Sequence, residues 1–242
     1  MSSTAKRSAY SAANSISIHC TTLNCGGQEP DSVEELMPIF EVKSTGDDEP
    51  RFVPDMYIVA LQEMVSLNAK NMMITNKKKL EMWRAMLTKA METANERNWA
   101  GQSNKEEEFY DQELVYTDKQ MVGCYLAIFL KRKLAVRIPP KSFQSCRIKA
   151  GAAGVGGNKG AVCIRFEIEG QGFMVINCHL ASGGSKDSQR TEQLMKIFDS
   201  AFEKNLRHRR MTIIHHEHVL LMGDLNFRIQ GMDRGDVLQK IE

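Results

Sequence analysis

The sequence predicts an α+β fold in which helices cover the faces of β-sheets. Short apolar runs bounded by glycine, proline or charged residues are typical of buried strands, and two longer segments carry apolar residues at the three- and four-residue spacing of amphipathic helices. Neither an internal repeat nor a linker divides the chain, so we expect one layered domain over residues 15–242. Residues 1–14 are small and polar and are predicted to be a disordered N-terminal tail.

The predicted strands each end at a turn signal or a polar residue. Residues 15–24 alternate and are rich in isoleucine and threonine before a Gly-Gly pair, and residues 55–63 form a short apolar run. Residues 121–134 form a longer apolar run with a basic end. A Glu-Gly turn within 161–180 predicts a hairpin, and the run 219–226 predicts a last strand.

Two amphipathic helices are predicted between the strands, the first over Leu80–Ala94 and the second over residues 187–207. Their inward-facing residues are Leu80, Trp83, Leu87, Met91 and Ala94 in the first and Leu194, Ile197, Phe198 and Ala201 in the second. The charged segment 101–113 is expected to be exposed. The lysine run 76–79 is expected to be a solvated loop, with contact to an acidic membrane as a weaker alternative.

The composition is that of a soluble globular protein, with 42% hydrophobic and 26% charged residues and a net charge of +2. No nucleic-acid partner is expected from this charge balance, and phosphate recognition must be local. The six cysteines form no Cys-x-x-Cys pair, which indicates reduced, buried thiols and a cytoplasmic location. No secretory signal is visible and the longest apolar run is too short to cross a bilayer, so any membrane contact is expected to be peripheral.

Polar side chains that the apolar runs do not explain stand at the ends of four predicted strands. They are Asn24, Glu63, Asn177 with His179, and Asp224 with Asn226. Residues i and i+2 of a strand share a face, so each of the two pairs can point into one cleft. Carboxylate and amide oxygens suit a hard divalent cation such as Mg²⁺. A carboxylate beside a cation and an imidazole also suits hydrolysis at phosphorus.

Each of these residues also has a purely structural interpretation. Asn24 alone is more often a turn residue, Glu63 is as often part of a solvated edge, and His179 is as often a hydrogen-bonded core histidine. Gly-Asp-x-Asn by itself is a common turn. It is their joint occurrence at successive strand ends that favours function.

Two further segments have functional and structural interpretations. The glycine-dense segment 151–160 precedes a strand and lacks the Lys-Ser or Lys-Thr of a nucleotide-binding loop. It is either a flexible turn or a loop that lets Asn158 and Lys159 approach an anionic substrate. The histidine-rich segment 215–218 looks like a metal cluster but lies at the strand end opposite Asp224, so a solvated or partly packed edge is favoured.

Four ordered motifs together give the chain a family resemblance. The stretches PDMYIVALQEMVSLNAKN, GNKGAVCIRF, VINCHLASGGS and LLMGDLNFRI resemble the inositol polyphosphate 5-phosphatases, including the synaptojanin-like members, of the endonuclease/exonuclease/phosphatase superfamily. The similarity runs from about residue 15 to the end. It implies a four-layer α/β/β/α sandwich. It also implies Mg²⁺-dependent removal of the 5-phosphate from inositol polyphosphates or phosphoinositides.

The resemblance also implies a role for the residues at the strand ends. Glu63 and Asn24 match residues that hold Mg²⁺, and Asp224 matches the carboxylate that orients or deprotonates the attacking water. His179 matches a phosphate-binding histidine that stabilises the transition state, and Asn226 matches an amide near the scissile phosphate.

Other positions match the family in part. Asn177 matches a second amide near the scissile phosphate, and Asn158 and Lys159 match the loop that lines the inositol pocket. The family usually has an aromatic residue before Asn24, where this chain reads CTTLN. The family also continues past Gly-Asp-x-Asn with a Cys-Asp-Arg-Ile motif and a Ser-Asp-His motif, whereas MDRGDV in this chain is interpreted as a helix start.

We therefore expect residues 15–242 to be the N-terminal part of a single 5-phosphatase catalytic domain, incomplete at its C-terminus. Two functions of different class remain open. One is the phosphatase itself. The other is a catalytically incomplete fragment or binding module derived from the family. The matched strand-end residues favour the phosphatase, whereas the unmatched motifs favour low activity of this chain alone.

Overall fold

The computed structural model describes residues 15–41, 53–65, 74–99, 109–116, 123–151, 159–202, 212–229 and 231–241. The strands are β1 (Ile18–Asn24), β2 (Met56–Gln62), β3 (Tyr110–Tyr116), β4 (Tyr125–Lys131), β5 (Gln144–Lys149), β6 (Gly160–Ile168), β7 (Gln171–His179) and β8 (His218–Asp224). The α-helices are α1 (Ile74–Trp99), α2 (Arg132–Ala135), α3 (Asp187–Ser200) and α4 (Arg234–Ile241). Short 3-10 helices span Glu34–Ile39, Pro140–Ser142 and Ile213–His215.

The strands form two four-stranded mixed sheets. Sheet A has the order β1-β2-β4-β3, with β1 and β2 parallel and the other neighbours antiparallel. Sheet B has the order β5-β6-β7-β8, with β7 and β8 parallel. Each parallel pair lies at one edge of its sheet, and β1 contacts β8 across the two edges. The carboxyl ends of β1, β2, β7 and β8 are thereby brought to one rim.

Alternate residues of the central strands face different layers. Ile58 of β2 lies in the apolar layer between the sheets, whereas Tyr57 packs in the layer under α1. Val175 of β7 also lies between the sheets, whereas Ile176 packs in the layer under α3. Burying a large apolar side chain is worth about 1.5–3 kcal/mol, so these three layers hold the molecule together. The predicted four-layer α/β/β/α sandwich is confirmed.

The inward faces predicted for the two long helices are also confirmed. In α1, Trp83, Leu87, Met91 and Ala94 are buried and Leu80 packs against them. In α3, Ile197 is buried and Leu194 and Phe198 pack on the same cluster, whereas Ala201 is buried there but follows the helix. The predicted hairpin is formed by β6 and β7.

Several predicted boundaries are wrong. Residues 76–79 are not a loop but part of α1, where lysine is a good helix former. The second helix ends at Ser200 rather than at 207, because Ala201 is extended and Phe202 has a φ of 59°. The run 121–134 is divided, since β4 ends at Lys131 and the short helix α2 follows. The predicted tail 1–14 lies outside the described residues.

Two strands have no counterpart in the sequence prediction. The first is β3, which occupies the end of the segment expected to be charged and exposed, and the second is β5. Both lie at the outer edge of their sheets. An edge strand needs no continuous apolar run and often carries charged residues that discourage aggregation, so apolar periodicity does not detect it.

A buried amide links the two sheets near the rim. Asn177 of β7 and Gln62 of β2 are 0% and 1% exposed. The Asn177 Nδ2 donates to the carbonyl oxygens of Leu61 at 3.0 Å and Tyr125 at 2.7 Å, both in sheet A. The Asn177 Oδ1 accepts from Gln62 Nε2 at 2.8 Å. Because both N–H groups of the amide are used, this link fixes how sheet B sits on sheet A.

Removing this amide should weaken the whole sandwich. Asn177→Leu removes the donor that the carbonyl oxygens of Leu61 and Tyr125 share and the acceptor of Gln62 Nε2, and leaving a buried polar group unsatisfied costs about 1–3 kcal/mol. We expect the free energy of unfolding in urea to fall by about 2–4 kcal/mol. Gln171→Leu, at the exposed start of the same strand, is the control and should change it by less than about 1 kcal/mol. Equal effects of the two substitutions would contradict a structural role for the link.

Candidate active site

Four polar side chains meet at the rim of the sandwich. Glu63 follows β2, His179 ends β7, Asp224 ends β8, and Lys159 directly precedes β6. The His179 Nε2 lies 3.3 Å from Glu63 Oε1 and 3.8 Å from Asp224 Oδ2. The Nζ of Lys159 lies 2.5 Å from the same imidazole nitrogen. The structure therefore brings together one residue from sheet A and three from sheet B; these four are called the rim cluster below.

The surroundings of the imidazole in the rim cluster favour its neutral form. Burial lowers the pKa of His179 and the nearby charge of Lys159 lowers it further, whereas the charges of Asp224 and Glu63 act in the opposite direction without reversing the shift. Burial also lowers the pKa of Lys159, although Glu63 and Asp224 favour its charged form. A neutral imidazole can offer a nitrogen lone pair to a proton donor or a cation. At neutral pH the rim cluster thus contains an electron-pair donor between two carboxylates.

The carboxylate of Asp224 is fixed by hydrogen bonds from both sides. Its Oδ2 accepts from Asn24 Nδ2 at 3.0 Å, which joins the last strand of sheet B to the first strand of sheet A. Its Oδ1 accepts from the backbone N–H of Asn226 at 3.1 Å. The Asn226 side chain donates in turn to Leu180 O at 3.2 Å. These contacts orient the carboxylate without covering it, since 27% of the Asp224 side chain is exposed.

Two glycines permit the close backbone approaches that form the rim. Gly223 has a φ of 113°, and a Cβ there would lie 2.1 Å from Cys178 O. Gly160 has a φ of 144°, and a Cβ there would lie 1.9 Å from Ile148 O. Each glycine is next to a rim residue, Asp224 or Lys159. Close approaches between backbone segments therefore lie directly beside Asp224 and Lys159.

The rim cluster has the composition of a metal site. Among the described residues, Glu63, His179 and Asp224 form the group that could hold a metal ion, with ligand atoms within 4.8 Å of one another. Two carboxylates and one neutral imidazole are suitable donors, and Mg²⁺ commonly takes one or two protein carboxylates. Glu63 is 33% exposed, so both carboxylates remain open to solvent and to a substrate. The residues present fit a divalent cation.

The other predicted site residues lie at different depths. Asn24 is at the rim, but its Oδ1 accepts from Gly26 N at 3.0 Å, so its assignment as a metal ligand stays a prediction. Asn226 is half-buried beside Asp224 with a φ of 56°. Asn177 lies beneath the rim and does not reach the open cleft, because its amide is committed to the link between the sheets. Asn158 lies outside the described residues.

The histidine-rich segment 215–218 is a partly packed edge, as predicted, with His216 buried and the other three residues exposed. The His216 Nδ1 pairs with Thr212 O at 3.1 Å, and the His218 Nε2 pairs with Gln171 Oε1 at 2.9 Å. The Glu217 carboxylate accepts from the backbone N–H of Gly172. These side chains face different neighbours rather than a common centre.

Sequence reasoning missed residues that support the site from below. Gln62 carries no signal of its own because it stands beside the more conspicuous Glu63. Cys124 is 1% exposed and lies close enough to Lys159 and Glu63 for their charges to act on it. Burial raises the pKa of Cys124 to about 12. The sequence predicts buried thiols correctly at Cys124, whereas Cys20 is exposed.

A four-layer sandwich whose sheets bring carboxylates and an imidazole to one rim is the arrangement that the sequence resemblance implies for the endonuclease/exonuclease/phosphatase class. Comparison with known families agrees. The Endonuclease/Exonuclease/phosphatase family 2 matches residues 21–242, and the chain belongs to this family.

Relatives within the family carry the names of 5-phosphatases. A probable inositol polyphosphate 5-phosphatase of Schizosaccharomyces pombe is 28% identical over 250 residues, which cover 91% of this chain and 20% of that protein. The phosphatidylinositol 4,5-bisphosphate 5-phosphatase INP51 of Saccharomyces cerevisiae is 29% identical over 237 residues, which cover 97% of this chain and 22% of that protein. The resemblance to 5-phosphatases is thus confirmed. The chain spans about a fifth of the length of these relatives.

Solved structures share the fold. The inositol polyphosphate 5-phosphatase domain of SPsynaptojanin, in complex with inositol (1,4)-bisphosphate and a calcium ion, has a TM-score of 0.60 and 24% identity, covering 93% of this chain and 56% of that chain. A Cimex nitrophorin in a ferrous NO complex has a TM-score of 0.52 and 11% identity, covering 93% and 65%. Because the same fold occurs in a nitrophorin, function must be argued from the site. No helix in the described part of the chain is long and apolar enough to span a membrane.

The tight approach at Gly223 should not tolerate a side chain. In Gly223→Ala the new Cβ would meet both Cys178 O and Asn177 Oδ1, at 2.1 and 2.7 Å. We expect the free energy of unfolding to fall by about 2–6 kcal/mol, the sum of backbone strain and overpacking. Gly184→Ala is the matched control, since a Cβ there meets nothing within 4 Å. If urea unfolding gives the same stability for the two variants, β7 and β8 are not packed as described.

Proposed function

We propose that the chain is the site-bearing part of a Mg²⁺-dependent phosphomonoesterase that removes the 5-phosphate of inositol polyphosphates or phosphoinositides. The observation that carries the proposal is the rim cluster, in which two carboxylates converge on a neutral imidazole and a lysine. The names of the relatives support the substrate class. With a phosphoinositide as substrate, the protein would contact the membrane peripherally.

The cation would be held at the rim by the Glu63 carboxylate, with Asn24 assisting and Asp224 beside it, and the His179 imidazole would contact the phosphate. The SPsynaptojanin domain was solved with a calcium ion, which supports a divalent cation in this fold. When bound, Mg²⁺ supplies positive charge that offsets the charge developing on the phosphoryl oxygens. The two carboxylates outweigh the single positive charge of Lys159, so the charge of the cluster favours a cation.

The side chains of the rim have distinct parts in the reaction. Asp224, held by Asn24 and by the Asn226 N–H, orients the attacking water and accepts its proton. As the bond from water to phosphorus forms, the bond from phosphorus to the inositol oxygen breaks, and that oxygen leaves as a hydroxyl after taking up a proton from solvent. Lys159 donates to a phosphoryl oxygen, because its ammonium lies at the same cleft. The second N–H of the Asn226 side-chain amide can bind the same phosphate. Asn177 acts from beneath by fixing the two sheets rather than by touching substrate.

The cysteines near the site argue against a covalent thiol mechanism. Burial raises the pKa of Cys25, Cys124 and Cys178 to about 12 in each case. A cysteine attacks phosphorus as the thiolate, which these groups do not form at neutral pH. Direct attack by water is therefore the favoured route.

The metal assignment predicts a specific loss. Glu63→Gln keeps the shape of the side chain and removes its charge. We expect phosphate release to fall by on the order of 10²-fold, the scale for removing one electrostatic contact, and to require more Mg²⁺ for half-maximal rate. Glu192→Gln, exposed on α3, should leave both quantities unchanged. An unaltered Mg²⁺ titration of Glu63→Gln would rule out this assignment.

The role of Asp224 predicts an effect on the chemical step. Asp224→Asn should lower kcat by about 10²–10⁴-fold with little change in KM, the scale of general-base assistance. The measurement is phosphate release from inositol 1,4,5-trisphosphate, with inositol (1,4)-bisphosphate as the expected product. If the parent chain binds this substrate but releases no phosphate in Mg²⁺, the alternative of a binding module is correct and the proposal fails.

A further inference from the structure

Helix α3 presents two buried polar residues to the back of the rim. Arg190 is 0% exposed and Gln193 is 4% exposed, and they lie one turn apart on the face that also carries the apolar Ile197. A buried guanidinium is costly unless its hydrogen bonds are made. Apolar packing does not explain a buried arginine or a buried glutamine. The hydrogen-bond partners of the two side chains therefore indicate their role.

Gln193 joins two segments that carry rim residues. Its Oε1 accepts from the backbone N–H of Ala181 at 2.8 Å, two residues beyond His179. Its Nε2 donates to Ala150 O at 2.6 Å. The N–H of Ala150 in turn donates to Lys159 O at 2.9 Å. One side-chain amide thus ties the backbone that carries His179 to the backbone that carries Lys159.

Arg190 extends the same connection towards Asp224 at the end of β8. Its Nη1 donates to Ala181 O at 3.0 Å and to Gly183 O at 2.7 Å, and its Nη2 donates to Asp187. The centre of its guanidinium lies 5.4 Å from the centroid of the Phe227 ring, a distance within the range of cation–π contacts. Phe227 follows Asn226, which orients Asp224.

We propose that Arg190 and Gln193 are positioning residues that hold Lys159, His179 and Asp224 in the geometry needed for catalysis. Neither residue lies in the rim cluster. Both act through backbone segments that lead directly to it. The backbone N–H of Leu180 completes the connection by donating to Asp224 O at 3.0 Å. The catalytic part of this inference rests on the proposed phosphatase function, whereas the structural part does not.

A double-mutant cycle tests whether Gln193 acts through Lys159. Gln193→Met keeps the length of the side chain and removes both hydrogen bonds. We expect it to lower kcat/KM by about tenfold in the parent protein and by less than about threefold in a Lys159→Met background, because residues that share a partner are not additive. Glu192→Met, the exposed neighbour on α3, should have no effect in either background. The same fold loss in both backgrounds would refute the action of Gln193 through Lys159, and no loss in the parent protein would overturn the proposal for Gln193.

Amide hydrogen exchange tests the positioning without any need for activity. Gln193→Met should speed exchange in residues 178–184 and at Ala150 while leaving β2 and α1 protected, because the lost contacts are local. Uniformly faster exchange along the chain, or none, would show that Gln193 only fills the core and would overturn the proposal. If the parent protein shows no phosphatase activity, the proposed function fails and this measurement still decides the positioning.

Arg190 is tested with a substitution that keeps its charge. Arg190→Lys retains a cation but cannot reproduce the fork of donors to Ala181 O and Gly183 O. We expect faster exchange in residues 180–184 and 224–229 and a kcat at least about fivefold lower, measured below the unfolding transition. Lys196→Met, exposed on α3, should match the parent protein. Full function and full protection in Arg190→Lys would mean that charge alone suffices, and the positioning role would be refuted.

Discussion

The site depends on one amide that spans the two sheets. Glu63 comes from sheet A, whereas His179 and Asp224 come from sheet B, so their separation is set by how the sheets dock. Apolar side chains between the sheets give cohesion but little direction, because the hydrophobic effect is non-directional. Hydrogen bonds are directional, and those of Asn177 to Leu61 O, Tyr125 O and Gln62 lie just beneath the rim. They therefore set the orientation of one sheet on the other.

The polar groups of the rim gain their properties from the apolar layers behind them. His179 is almost fully enclosed, and its burial keeps the imidazole neutral. Glu63 and Asp224 remain about one-third and one-quarter exposed. The buried imidazole of His179 thus lies between two carboxylates that solvent can reach. A cation and an anionic substrate can both bind there, and water can still enter.

The apolar pattern was sufficient for a layered α+β fold and for most of the residues that converge, and the family resemblance supplied the four-layer architecture. Buried strands are recognised in the sequence as apolar runs. Glu63 and Asp224 could be singled out because each is a polar residue at the end of such a run. The edge strands β3 and β5 could not be found this way, because half-covered strands need no apolar run. The support from Gln62, Arg190 and Gln193 was also missed, since a buried polar residue is recognised by its partners and not by periodicity.

The position of Asn177 shows a further limit of sequence reasoning. Strand alternation places it on the same face as His179, and this is so in the structure, but alternation does not identify partners. Both side chains are buried, with Asn177 0% and His179 1% exposed. The Asn177 amide is hydrogen-bonded to Leu61, Tyr125 and Gln62 of sheet A, whereas the His179 Nε2 lies beside Glu63 and Asp224. Family resemblance assigns both residues to one cleft, and their hydrogen-bond partners distinguish them.

The hydrogen bond between Asn24 and Asp224 joins residues 200 positions apart along the chain. Closing so long a loop carries an entropic cost, so we expect this contact to form after the local contacts of the chain. A cation bound between Glu63 and Asp224 would link the end of β2 to the end of β8. Its binding free energy would then also be folding free energy, and the protein would be more resistant to unfolding as the free concentration of the ion rises.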